Sequence, residues 1–371
     1  MVKCSKVQKI MLDGYGSYFG MEKGCFVLRD KEGNTEKYPL FESEIGEIQF
    51  KSGNMVSTGA LASCGFWGID CIFLTQKGRP VAMLKSLDDD SHVKTRICQY
   101  EALKSEKAEY IAKQLILGKL EGQNQVLSKY GLKRHDFSIQ QKIKNLEDED
   151  TARLRIRLMS IEGHFSENHF TQIFSLLSPS LRPDSRKTFK AYDGINNIFN
   201  LSYEVLSWKV HHALIKAKLE PYLGFLHSLA EGKPSLICDF MELYRYLIDD
   251  FVIQYCRKLQ KRDFIMKYED FSTNQKGKRE YLDDSLTRGL MKNLNEYFKT
   301  KIEIPRIRMG KTQEIETLIN EEALLFAMYL RNEKHTWNPI ILSLEWPKWN
   351  SPSVMAVRSL HEPRNKQKQR C

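Results

Sequence analysis

The sequence has no cysteine pair at C-x-x-C spacing. Its eight cysteines lie scattered at Cys4, Cys25, Cys64, Cys71, Cys98, Cys238, Cys256 and Cys371. That excludes a zinc ribbon and argues against a disulfide framework, so a reducing cytoplasm is the expected setting. No apolar run is long enough to span a bilayer, and no membrane partner is expected. Met1-Val-Lys-Cys-Ser-Lys6 carries charge without an apolar run behind it, so no secretory signal is expected. There is no Gly-x-Ser-x-Gly elbow. Gly310-Lys-Thr312 fails as a P-loop, because Pro305 stands where the first glycine belongs. His164 with His169, and His211 with His212, lack the spacing and intervening acid of a zinc protease. Internal repeats and low-complexity segments are missing too.

What is present is a basic excess, unevenly spread. The 371 residues carry a formal net charge of +10. Residues 1–90 hold 11 Lys and Arg against 12 Asp and Glu, which leaves 46 against 35 in the remainder. A polyanion should therefore meet the second part and be weakened there by salt. The same boundary separates two hydrophobic periods. Lys9-Ile-Met-Leu12, Cys25-Phe-Val-Leu28, Gly46–Phe50, Ile69–Leu74 and Val81–Leu84 are short apolar or alternating runs with glycine-rich turns between them. Ser57–Gly65 reads as one short helix capped by Ser57 or Thr58. Leu87-Asp-Asp-Asp-Ser91 is the expected linker. Beyond it Ile97, Tyr100, Leu103, Ala108, Ile111, Leu115 and Leu120 keep one face at a 3.6 period, and the chain reads as helical to about residue 332. The expected fold is α+β in two domains: residues 1–86 as a small β domain with one inserted helix, and 87–340 as a larger all-α domain. Residues 341–371 form a basic and aromatic tail, with Trp346, Trp349 and Arg364–Arg370, that suits either an extra nucleic-acid contact or a frayed end.

Polarity is oddly placed in Tyr222–Arg245. His227 lies inside an apolar run, and Asp239 and Glu242 lie three apart in a second one that reads as helix, so they share a face. Glu231-Gly-Lys-Pro234 between them reads as a turn. A histidine and two carboxylates converging in a basic protein are a ligand set for Mg²⁺ or Mn²⁺ acting on a phosphate. The plain alternative stands beside it: a core histidine and a solvated acidic helix face. Arg153–Gly163 reads as one helix with alternating arginines, and it ends with Glu162 before Gly163. A surface glutamate is the ordinary reading of that position.

Pro221-Tyr-Leu-Gly-Phe-Leu-His227, followed by Ser235-Leu-x-x-Asp-x-Met-Glu-x-x-Arg245, resembles the signature of the CRISPR-associated spacer-acquisition integrase family. Residue types and spacings agree over some two dozen positions, and the likeness extends over about residues 7–340. It implies a metal-dependent DNA endonuclease and integrase of CRISPR adaptation. In that family the first domain is a dimerisation platform and the partner is a small ferredoxin-like protein. The substrates are double-stranded and branched DNA. Carried over residue by residue, Glu162 resembles the acid of the family's Glu-Gly motif and supplies a third ligand beside His227 and Glu242. Asp239 is then a further ligand or a support, and Arg245 faces the phosphate. Asp193-Gly-Ile-Asn196 with Tyr203 resembles the family's Asp-x-x-Asn…Tyr element, read as a cap and a structural hydrogen-bonder. Gln99, Lys119 and Gln123-Asn-Gln125 resemble its first long helix. Two departures stand out: His169 where the family commonly has Tyr, and Lys218 with Glu220 in place of Gly and Asp. Tyr255–Arg262 and a polar loop at Lys276–Arg279 are candidate phosphate contacts. Two rivals keep different chemistry: a non-catalytic nucleic-acid-binding scaffold, and a plain branched-DNA repair nuclease.

Overall fold

The computed structural model describes residues 8–39, 45–86, 91–148, 150–189, 191–227, 231–272, 275–303 and 312–344. The linker at 87–90 and the tail's Trp346, Trp349 and Arg364–Arg370 lie outside them. The chain divides into two units, Met1–Ile97 and Cys98–Cys371.

In the first unit the alternating runs become strands: β1 Gln8–Leu12, β2 Tyr18–Glu22, β3 Cys25–Arg29, β4 Thr35–Pro39, β5 Ile45–Lys51, β6 Met55–Val56, β7 Asp70–Leu74 and β8 Pro80–Leu84. They form two four-stranded sheets, ordered β1-β5-β7-β8 and β4-β3-β2-β6. An aromatic cluster fills the space between the sheets: Phe19 stacks on Phe26 at 5.1 Å and meets Phe50 edge-on at 5.4 Å. The helix α1 (Thr58–Phe66) starts where expected, because the Ser57 side chain accepts from the Ala60 N–H.

The second unit holds α2 Ser91–Ala102 in part, then α3 Glu106–Lys129, α4 Phe137–Lys144, α5 Thr151–Phe174, α6 Gly194–Lys216, α7 Ser235–Glu242 and α8 Arg245–Cys256. A hairpin of β9 Phe264–Ser272 and β10 Gln275–Leu282 follows. Then come α9 Asp284–Phe298, the short pair β11 Lys301–Glu303 and β12 Thr312–Glu314, and α10 Ile315–Leu330. The α+β class is as expected, with two antiparallel pairs added to the helices. Lys278 and Arg279 therefore sit in a strand and not in a loop. The antiparallel ladder, with Phe264 opposite Leu282 and Lys267 opposite Arg279, forms despite the segment's polarity. Gln99 is on α2, not on the long helix that follows: the chain breaks at residues 103–105, and Ser105 caps α3 through the Lys107 N–H.

α6 is the central element of the second unit. Ile195, Phe199, Leu206, Val210 and Leu214 are buried along it. Asp193 caps it through the Asn196 N–H at 2.7 Å, and Asn196 is buried and hydrogen-bonded to Ser185 O and Asp193. Both are the structural roles expected of them. At its far end Lys218 takes a left-handed φ of 66°, the helix-terminating conformation usually given to glycine. Among the described residues no helix is long and apolar enough to cross a membrane.

Candidate active site

The apolar face of α7, formed by Leu236, Ile237 and Phe240, is in the core, which carries the polar Asp239 in with it. A carboxylate buried this way must be satisfied. Asp239 Oδ2 accepts from the N–H groups of Phe225 at 2.5 Å and Leu226 at 3.0 Å. Its Oδ1 accepts from the His227 N–H at 2.9 Å and from His227 Nδ1 at 2.7 Å. One side chain thus closes the loop and fixes the imidazole, with the proton on Nδ1. Nε2 makes no hydrogen bond among the described residues. The approach depends on Gly224, where a Cβ would lie 2.7 Å from the Ser235 carbonyl carbon and 2.8 Å from Asp239 Oδ2. Gln99 clamps the same loop from α2, with Nε2 to Leu223 O at 2.9 Å and Oε1 accepting from the Glu220 N–H at 2.9 Å.

Glu242 ends α7, and Arg245 starts α8 one turn later. Arg245 Nε donates to Glu242 Oε1 at 3.0 Å, and its guanidinium lies 4.7 Å over the Tyr203 ring. On the other side Lys119 reaches in from α3. Its ammonium pairs with Glu242 Oε2 at 2.6 Å and with Glu162 Oε1. α3 comes this close because residue 118 is glycine: a Cβ there would meet Leu243 Cδ2 at 2.6 Å. Glu162 Oε1 also accepts from Ser166 Oγ at 2.7 Å, and Gln123 Nε2 donates to that hydroxyl at 3.2 Å. Burial alone would push the Glu242 carboxyl up. The Arg245 and Lys119 cations and the His227 ring outweigh it and hold it down to about 2.

The structure therefore brings Glu162 and Glu242 onto one ammonium. His227 lies within electrostatic reach of Glu242 but is held on Asp239. Among the described residues no group of three or more His, Cys, Asp or Glu side chains is close enough to hold a metal ion. The donor chemistry nonetheless fits a hard divalent ion. Glu242 Oε2 is a buried acceptor whose contact with Lys119 is an ion pair without hydrogen-bond geometry, and an imidazole nitrogen is spare nearby.

Sequence reasoning missed three features. In the sequence Lys119 stands only as part of a helix pattern. Arg155 lies two turns before Glu162 on the same face of α5, and its Nε is buried without a hydrogen bond. Burial pulls the guanidinium below its ordinary range, and the charge of Asp239 opposes that. The third is a network beneath Arg245. His169, at the departure from the family's tyrosine, is fully buried, and its Nε2 lies 3.0 Å from Asp249 Oδ2. The Tyr203 hydroxyl donates to Asp249 Oδ1. Burial first, then Asp249, keeps that hydroxyl protonated far above its ordinary range. The sequence signal was available: three polar residues on apolar helix faces. Of the basic run after α8, Lys261 pairs with Glu280 at 2.5 Å.

The sequence model of the family described as CRISPR associated protein Cas1 matches residues 10–285. The chain belongs to the Cas1 family. Among curated Cas1 relatives, the CRISPR-associated endonuclease Cas1 of Korarchaeum cryptofilum is 27% identical over 67% of this chain and 77% of its own length. One from Francisella tularensis subsp. novicida is 26% identical over 70% of this chain and 82% of its own length. Solved structures share the fold. A casposase bound to integration product superposes with a TM-score of 0.68 at 18% identity, over 92% of this chain and all of that one. The Cas1 protein of Thermotoga maritima gives 0.64 at 16% identity, over 89% of this chain and 98% of its own.

Proposed function

We propose that the chain is a divalent-metal-dependent DNA endonuclease and integrase of CRISPR adaptation. The observation that carries this is the meeting of Glu162 and Glu242, from separate helices, on one buried cation, with His227 within electrostatic reach of Glu242. Glu162, His227 and Glu242 would hold Mg²⁺ or Mn²⁺. Asp239 is the support and not a ligand, since both its oxygens already accept two hydrogen bonds. The ion, when bound, stabilises charge on the phosphate and makes a neutral-pH nucleophile available.

The chain's own residues do the rest. Arg245 orients Glu242 and turns its cationic face to the phosphate. Arg155 extends the cationic wall along α5. Asp239 holds the His227 tautomer that leaves Nε2 for ligation. The 3′-hydroxyl of a short DNA fragment attacks a phosphodiester at the CRISPR repeat. One P–O bond forms to the attacking oxygen and one breaks to the leaving 3′-oxygen, which takes up a proton. With water attacking, the same site is an endonuclease.

A fold neighbour supports the partner reading. It is the partial Cas6-RT-Cas1–Cas2 complex, with a TM-score of 0.66 at 18% identity. On this reading residues 1–86 form the homodimer platform and residues 87–340 the catalytic DNA-binding part. A small ferredoxin-like protein bridges dimers in the cytoplasm.

Cleavage of branched and duplex DNA with Mn²⁺ tests this. Glu162→Ala and His227→Ala should each abolish cutting while DNA binding remains. Normal cutting by both overturns the site. An integration assay on a repeat-bearing plasmid, with the partner protein present, separates integrase from repair nuclease: strand breaks without joined fragments favour the latter.

A further inference from the structure

Lys119 is an unusual neighbour for two candidate ligands. Its side chain is 9% exposed, and its ammonium touches both carboxylates at once. Arg245 already neutralises Glu242 from the opposite side. The four side chains therefore sum to zero charge before any ion arrives. A divalent ion added to that set, with Lys119 in place, leaves two positive charges uncompensated at low dielectric. The oxygens that Lys119 occupies are also the ones the ion needs.

We propose that Lys119 is the site's resident cation. It holds Glu162 and Glu242 together before metal binds, competes with the divalent ion for their oxygens, and is displaced toward the DNA backbone when the ion takes its place. This rests on the metal-dependent reading above and adds an order of events to it. Without Lys119 two carboxylates would face each other in a half-buried site, so the lysine keeps the ligands assembled at the cost of metal affinity. The displaced ammonium stays within a side-chain length of the site. A DNA phosphate there restores the charge balance that the ion upsets. Lys119 is accordingly a positioning residue for the carboxylates and a competitor of the ion.

Two measurements test this without any activity assay. The first is Mn²⁺ titration by calorimetry of the wild type, Lys119→Met and Glu162→Gln. Lys119→Met should bind Mn²⁺ about tenfold more tightly, one competing charge having been removed. Its metal-free melting temperature should fall, and saturating Mn²⁺ should restore it. Unchanged or weaker Mn²⁺ binding by a normally folded Lys119→Met overturns the proposal. Glu162→Gln separates the two readings: if it binds Mn²⁺ as the wild type does, the metal site itself is wrong. The second measurement uses only the wild-type chain, so folding of a variant is not at issue. Lys119 should be protected from an amine-acetylating reagent without metal and become several-fold more reactive with Mn²⁺, read by peptide mass spectrometry. Equal labelling in both states overturns the displacement.

Discussion

Two polar networks meet at Arg245, and they are built differently. On one side Glu162, Lys119, Ser166 and Glu242 form a partly open cluster in which Glu242 Oε2 lacks a hydrogen bond. On the other, Tyr203, Asp249 and His169 form one closed around Asp249: both its oxygens are used, and His169 Nδ1 alone of the three side chains' polar atoms lacks a hydrogen bond. The closed network can contribute to stability and to the placement of α5, α6 and α8. The open one spends stability on groups held ready for something else. Removing a member of each should therefore give opposite signatures.

The largest effect should come from Asp249→Ala. It strands the Tyr203 hydroxyl and His169 Nε2 in the core and removes the negative charge that acts on Arg186 and Arg245. We expect a loss of about 3–5 kcal/mol in urea unfolding. Glu162→Gln should cost well under a third of that and abolish divalent-dependent cleavage. Equal losses from the two variants would erase the distinction between the networks.

Asp239 belongs to neither network and supports the open one. Asp239→Asn can accept fewer of the four hydrogen bonds now made and misplaces His227. Cleavage should fall about 10–100-fold, with Mn²⁺ affinity falling in step. A variant that cuts at the wild-type rate would remove the case for a held tautomer. Smaller again is Tyr203→Phe, which keeps the ring beneath Arg245 and loses only the hydroxyl. About 1–2 kcal/mol should go from stability, with cleavage near normal.

How much of this could be read in the sequence depended on distance along the chain. Ser57 and Asp193 are caps, so their roles are settled within three residues. The helix carrying Asp239 and Glu242 declares itself by its apolar period. The hairpin at 264–282 was hidden because its strands carry Lys267, Glu269, Lys278 and Glu280, which read as loop. Its placement comes from tertiary contacts, with Glu280 Oε2 accepting from the Gly194 N–H at 3.0 Å. Lys119 was invisible as a site residue for the same reason. Nothing local distinguishes it from Lys113, and only packing of α3 on α5 and α7 gives it two acids. Resemblance supplied Glu162, which spacing alone left as a surface glutamate.

His135 connects the two networks and allows the finest test. Its Nε2 lies 3.1 Å from Gln123 Oε1, which leads through Ser166 to Glu162, and its ring centre lies 6.4 Å from that of His169. Burial, helped by His169, lowers its folded value from 6.5 to about 4. Below pH 6.5 the unfolded chain takes up a proton that the folded ring refuses until about pH 4, so stability falls as pH drops through that window. The ring is half-buried, so the full linkage value must be discounted to on the order of 1–2 kcal/mol. His135→Gln keeps a polar group for Gln123 and cannot titrate. Its melting temperature should decline less steeply than that of the wild type between pH 6.5 and 4, with the two curves meeting near neutrality. Parallel curves would mean that the ring is protonated in the fold, and that the two networks are not separated by a neutral histidine.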